Sequence, residues 1–225
     1  MFVAAGHGRS YGVNSRVAAR RLPSILGSGL WRALDRDAES GVRERSVALV
    51  TDIGNDLLYG FSVDQVSGWV RESLRRLGDR ASRVVVTGLP LASVSGVGAF
   101  RYGALRTCYV PGCRLSLADL KTAAAELDAR IRDIAAEQSA GVIEQPGEWY
   151  GCDAIHLRRH RLDDLWHRGC DLWGWGAADQ VPPPTYAEWM TIGSRAAEVR
   201  SLVRRMLFTP QPVIDRPGSF QLSLY

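Results

Sequence analysis

Lysine is almost absent from this chain. Lys121 is the sole lysine among 28 basic residues, which stand against 24 acidic ones for a formal net charge of +4. The arginines are interspersed with acids, as in Asp35-Arg36-Asp37 and Arg161-Leu162-Asp163-Asp164. No basic run of the kind that follows a nucleic-acid backbone forms, and no nucleic-acid partner is expected. Long apolar runs are missing too: none approaches the ~20 residues that cross a bilayer, so no membrane span is expected. The start, Met1 to Gly12, is a poor signal peptide, because its apolar part ends at Ala5 and Gly, His and Arg follow at once. A cytoplasmic protein is the expectation. Cysteines number four, Cys108, Cys113, Cys152 and Cys170, with no Cys-x-x-Cys pair. Free thiols fit that setting, although Cys108 and Cys113 lie close enough in sequence to leave a bridge open. There is no internal repeat.

What is present suits a folded domain. With 225 residues, 46% of them apolar, the chain can bury a sizeable core. The organising stretch is Ser46 to Gly60, where the apolar run Val47-Ala48-Leu49-Val50 leads through Asp52 to an abrupt Gly54-Asn55-Asp56. A buried strand ending in a polar turn is how an open α/β sheet presents side chains to a ligand. Upstream, Phe2 to Ala5 reads as a first strand that breaks into a Gly-rich turn carrying His7 and Ser10, and a short helix starts near Leu30.

Downstream, Ser62 and Gln65 form a capping-box pattern, and Val63, Val66, Val70, Leu74 and Leu77 recur at helical spacing as far as Gly78-Asp79. Arg83 to Thr87 is a buried-strand candidate, which completes a βαβ unit with parallel strands. Residues 89–113 read as a long irregular segment. A second helix begins at Ser116, with Leu117, Leu120, Ala124, Leu127, Ile131 and Ile134 as its apolar seam. Gly141 to Ile143 reads as a last short strand. Beyond His160 the chain turns Trp- and Pro-rich, and Tyr186 to Leu207 reads as a further helix.

Three chain breaks supply complementary groups: Ser10, Asn55, and the pair Asp153 and His156 in Asp-Ala-Ile-His. On these residues the chain resembles the SGNH (GDSL-type) hydrolases, a family of esterases, lipases and deacetylases. Gly54-Asn55-Asp56 and Asp153-Ala154-Ile155-His156 match two of the family's blocks in order and placement, and the resemblance covers roughly residues 1–168. It implies an α/β fold, a three-layer α/β/α sandwich with a mainly parallel, flavodoxin-like sheet. The Trp/Pro-rich C-terminal extension, residues 169–225, is expected to pack on that domain without being an independent one. The first block departs from the family pattern: Gly8-Arg9-Ser10 stands where Gly-Asp-Ser is usual. Ser15 is the alternative nucleophile, and Gly29 is preferred to Gly27 for the Gly block.

The residue types suit acyl transfer. A serine hydroxyl becomes a competent nucleophile when a base within reach takes its proton. The resemblance assigns that base to His156, with Asp153 holding the imidazole tautomer. It also implies an oxyanion hole built from the Ser10 and Gly29 N–H groups and the Asn55 carboxamide. The expected function is hydrolysis of a small acyl or acetyl ester through a Ser10 acyl-enzyme, with no cofactor and no metal. The substrate would be a small molecule, and the C-terminal extension leaves a homo-oligomer contact open.

Each residue also has an ordinary reading. Ser10 could cap a helix, Asp153 could be a turn residue, and His156 a hydrogen-bonded core histidine. His156 and His160 are spaced four apart, but no Glu follows the first as in His-Glu-x-x-His, and arginines surround the second. Two rival functions stay open. One is a catalytically degenerate relative that acts as a binding or interaction protein; the other is an acyltransferase or thioesterase on the same residues.

Overall fold

The structure is a computed structural model that describes residues 1–6, 8–17, 20–38, 46–151, 154–175, 195–201, 206–216 and 220–225. It is mixed α/β, and its contacts divide the chain into a central unit, residues 44–179, and a terminal unit made of residues 1–43 and 180–225.

The central unit is built on a parallel sheet of three strands in sequential order, β4 (Val47–Val50), β5 (Arg83–Thr87) and β6 (Gly141–Ile143). Val47 pairs with Arg83 and Val50 with Val86, while Val85 pairs with Gly141 and Thr87 with Ile143. Parallel neighbours need long crossovers, and helices supply both. After β4 come the short α2 (Asn55–Leu58) and α3 (Val63–Gly78). Ser62 accepts the Gln65 N–H and the Gln65 side chain accepts the Ser62 N–H, so the expected capping box closes the start of α3. The α3 seam buries Val66, Val70 and Leu74. After β5 the chain forms α4 (Leu91–Ser95), α5 (Ala99–Tyr109) and α6 (Leu117–Glu137), the last capped by Ser116 on the Asp119 N–H. Helix α6 buries Ala124, Leu127, Ile131 and Ile134, as its spacing predicts.

Helices α3 and α6 pack on each other, α3 also on β5 and α6 on β6. A further helix, α7 (Leu162–Trp173), packs on β5 and β6. Its Leu165, Cys170 and Trp173 join Val85, Ile143, Trp149 and Tyr150 in one buried cluster, and the Trp173 indole N–H donates to the Ala48 carbonyl at 3.3 Å. Among the described residues, no helix is long and apolar enough to cross a membrane.

In the terminal unit the two ends of the chain pair with each other. β1 (Phe2–Val3) lies parallel to β10 (Phe220–Leu224), which pairs antiparallel with β9 (Ile214–Arg216). A second sheet runs in the order β2 (Ser15–Val17), β3 (Arg20–Leu22), β7 (Glu198–Ser201) and β8 (Met206–Phe208), antiparallel throughout. Helix α1 (Leu30–Ala38) starts where the sequence places it and buries Leu30, Trp31 and Ala33.

Four expectations need revision. Residues 89–113 hold two helices, α4 and α5, in place of an irregular segment. The described parts of Tyr186–Leu207 include strand β7 and the start of β8, which pair with β3 and with each other, so no helix runs through to Leu207. The first strand pairs with β10 and not with the parallel sheet. A boundary between residues 168 and 169 falls inside α7, whose Cys170 and Trp173 pack with Val85 and Ile143. Cys108, Cys113 and Cys170 are free thiols.

Candidate active site

In the central unit, the turn after β4 is shaped by backbone that ordinary residues rarely adopt. Asp52 has φ 58° and Gly54 φ 119°, the second a conformation open to glycine at little cost. The Gly54 carbonyl accepts the Leu57 N–H at 3.1 Å, which places Asn55 at the first position of α2. Asn55 is half-buried, and its carboxamide makes no hydrogen bond to a described residue. The next residue, Asp56, is buried; burial of the Tyr59 phenol, with the charge of Asp56 adding to it, holds that phenol above its ordinary pKa.

The loop that carries His156 is clamped at its base. Tyr150 and Leu157 form an antiparallel bridge, the Arg158 N–H donates to the Trp149 carbonyl at 2.8 Å, and Arg101 donates to the Gly151 carbonyl at 2.8 Å. Within it Ala154 is buried with φ 63°, a strained setting for a residue with a Cβ. His156 is half-buried and has an interaction partner. Asp153, like His7, lies outside the described residues.

The two loops meet at one pocket. Asp52, Ile53, Gly54 and Asn55 line it from the β4 turn, and Ile155 lines it from the Asp-x-x-His loop. Leu89, Pro90 and Gln145 contribute from the carboxyl ends of β5 and β6, so the pocket lies where an open parallel sheet places its ligands. Its walls are held by polar contacts. Asp128, buried on α6, accepts the Leu89 N–H at 2.7 Å and a hydrogen bond from Arg132, also at 2.7 Å. Arg132 reaches on to Glu144, and that hydrogen bond keeps the Glu144 carboxyl below its usual pKa. Gln145 donates to the Gly88 carbonyl and accepts from the Tyr150 hydroxyl, which commits both ends of its amide.

The terminal unit holds the other expected residues. The Ser10 carbonyl accepts the Ile25 N–H at 3.0 Å and the Tyr11 carbonyl accepts the Leu26 N–H at 3.0 Å. The first loop is thereby laced to the segment that ends in Gly27-Ser28-Gly29. The Gly27 N–H is spent on the Ser24 hydroxyl at 2.9 Å, whereas Gly29 opens α1, where the first N–H groups of a helix point outward. A Cβ on Gly29 would stand 3.3 Å from the Tyr225 ring, a tight contact that the ring would have to yield to by a few tenths of an ångström.

Ser10 itself is fully buried and engaged. Its hydroxyl oxygen accepts the Gly12 N–H at 3.2 Å and the Val13 N–H at 3.1 Å, and its own N–H donates to the Ser15 hydroxyl at 2.6 Å. Arg9 is buried beside it, donating to the carbonyls of Pro23 (2.8 Å), Ala5 (3.2 Å) and Tyr225, with its proton affinity lowered by burial. Arg9 is thus a tie between the first loop and Tyr225.

Sequence reasoning missed Gln145, Tyr150 and Asp128. Gln145 was the findable one, since it lies two residues beyond the strand Gly141–Ile143, on the side where the crevice rule puts ligands. Among the described residues, no group of three or more His, Cys, Asp or Glu side chains could hold a metal ion. No family profile, curated protein or solved structure matches this chain.

Proposed function

We propose that the protein is an ester hydrolase of SGNH type, with a three-layer α/β/α arrangement around the parallel sheet. In this reading Ser10 is the nucleophile, and His156 takes its proton and passes it to the leaving alcohol. Asp153 orients the imidazole, and Asn55 and Gly29 donate to the oxyanion. The substrate is the ester of a small acyl group. The observation that carries this reading is a shared pocket: Asn55 and Ile155, the residue before His156, line one cavity at the carboxyl ends of β4–β6. The turn after β4 and the loop beyond β6 leave the same edge of the parallel sheet, the edge at which such sheets bind ligands.

One observation favours the second reading, a binding protein. The Ser10 hydroxyl accepts two N–H bonds, so both its lone pairs are occupied, and attack on a carbonyl needs one of them released. Treatment with a fluorophosphonate followed by mass mapping decides between the two. Covalent label on Ser10 is the expected result. Label on Ser15 moves the nucleophile by five residues, and no label on the folded protein leaves the binding reading.

A further inference from the structure

We propose that helix α5 and its flanks dock on a membrane surface rich in anionic lipid, with Phe100 as the side chain that inserts. The surface is touched and not crossed, and the proposal is independent of the hydrolase reading.

Phe100 is 92% exposed, more than any other large apolar side chain among the described residues. One exposed apolar residue is ordinary by itself. Its setting distinguishes this one. Val97 and Tyr102, on either side of it, are buried in a cluster with Ala154, against which Leu117 and Leu120 pack. The Tyr102 hydroxyl also donates to the Leu115 carbonyl at 2.8 Å. The start of α5 is thereby anchored to α6 and to the Asp-x-x-His loop, and Phe100 stands outward from a fixed base. Ala104 and Cys108 follow at four-residue steps, both exposed, so the outer row of the helix carries no charge.

The charge beside that row is mostly positive. Between Asp79 and Asp119 the chain has five arginines and no acid. Other arginines pair with carboxylates, as Arg75 does with Glu72, Arg130 with Asp64 and Arg132 with Asp128. Among the described residues, Arg106, Arg114 and Lys121 have no such partner. Arg106 lies over the Tyr102 ring, Arg114 is exposed, and Lys121 donates to the carbonyls of Ser95 and Val97 at 2.7 and 3.0 Å. Arg101 donates to the Gly151 carbonyl at 2.8 Å, and exposed Arg158 lies alongside that glycine. Against these cations stand Asp119, which accepts from the Ser116 hydroxyl at 2.7 Å, and Glu148, in the turn that packs on α4. Cations beside an outward phenyl ring complement a layer of anionic headgroups over hydrocarbon. The guanidinium groups meet phosphate oxygens, and the ring enters below them.

The test is sedimentation of the whole protein with vesicles of phosphatidylcholine alone, or of two parts phosphatidylcholine to one part phosphatidylserine. The expected binding requires phosphatidylserine and falls as salt is raised. Phe100→Ala is expected to weaken it about tenfold or more, and Arg114→Ser about fivefold, both at the thermal midpoint of the wild type. Phe100→Trp is expected to retain it. No binding to the mixed vesicles, equal binding to both kinds, or an affinity unchanged in Phe100→Ala overturns the proposal. So does Phe100-dependent binding of a single-stranded oligonucleotide in place of vesicles, which assigns the surface to a nucleic acid.

Discussion

Ser10 follows the two-residue strand β1 and Asn55 follows the four-residue strand β4, each in a Gly-containing turn, yet their polar groups are employed in opposite ways. The terminal unit spends the Ser10 hydroxyl and amide on its own backbone and on Ser15. The central unit leaves the Asn55 carboxamide at a pocket wall and engages the neighbouring Gln145 fully. The packing differs in the same sense. Leu127 and Ile131 in the central unit are fully buried, while Leu22 in the terminal unit is slightly exposed and, among the described residues, packs with Ala196.

The largest expected effect tests the first half of that contrast. On the proposed hydrolase reading Ser10→Ala removes the nucleophile and is expected to lower ester turnover by at least about 10⁴-fold. The same change in Asn55 should cost about 10²–10³-fold. Both variants should give the circular dichroism of the wild type. If Ser10→Ala keeps its turnover and loses about 1 kcal/mol of stability, Ser10 is a turn cap and nothing more.

The next effect concerns the cores. Leu127→Ala is expected to destabilise the central unit by about 3 kcal/mol in urea unfolding, and Leu22→Ala to cost about 2 kcal/mol or less. Equal losses would remove the difference in packing on which the comparison stands.

The smallest effect is a pH dependence confined to the central unit. Burial, with a contribution from the Cys113 thiol at 3.7 Å, pushes the Tyr102 phenol up to about 12. The unfolded phenol ionises near 10, so between pH 10 and 12 the unfolded chain releases a proton that the folded one keeps. Stability conferred by the neutral phenol is complete below pH 10 and lost as pH rises through 12. Thermal midpoints should fall across that window, and fall less in Tyr102→Phe.

The legible parts of the fold are those whose signal is local. The Ser62–Gln65 box and the Arg83–Thr87 strand could be read because their determinants lie within a few residues of each other. Helices α4 and α5 were missed because Pro90, Gly96, Gly98, Gly103 and Gly112 punctuate the segment as a loop would, and because α5 does not sort its apolar residues to one side: Phe100 is exposed while Tyr102 is buried. The stretch up to Leu207 was misread for a different reason. Arg200 and Ser201 pair with Arg21 and Arg20, about 180 residues earlier, and such a partner leaves no mark on the local pattern. The site divides in the same way. Asn55 announces itself by a turn motif, whereas Gln145 and Asp128 matter for which backbone groups they hold, and that is set by tertiary packing alone.

The pairing of β1 with β10 has a consequence for the order in which the protein is made. Met1 donates to the Gln221 carbonyl across 220 residues, and Arg9 reaches the carbonyl of Tyr225. At about 5–20 residues per second, a ribosome needs about 10–40 s to travel that distance. All the strands of the parallel sheet leave the ribosome before β10 is synthesised. During that interval the central unit has every partner it needs, while the loop bearing Ser10 waits for its last tie. The nascent chain therefore passes through a stage in which the strands beside the pocket have been made and Gln221 and Tyr225, the partners of Met1 and Arg9, have not.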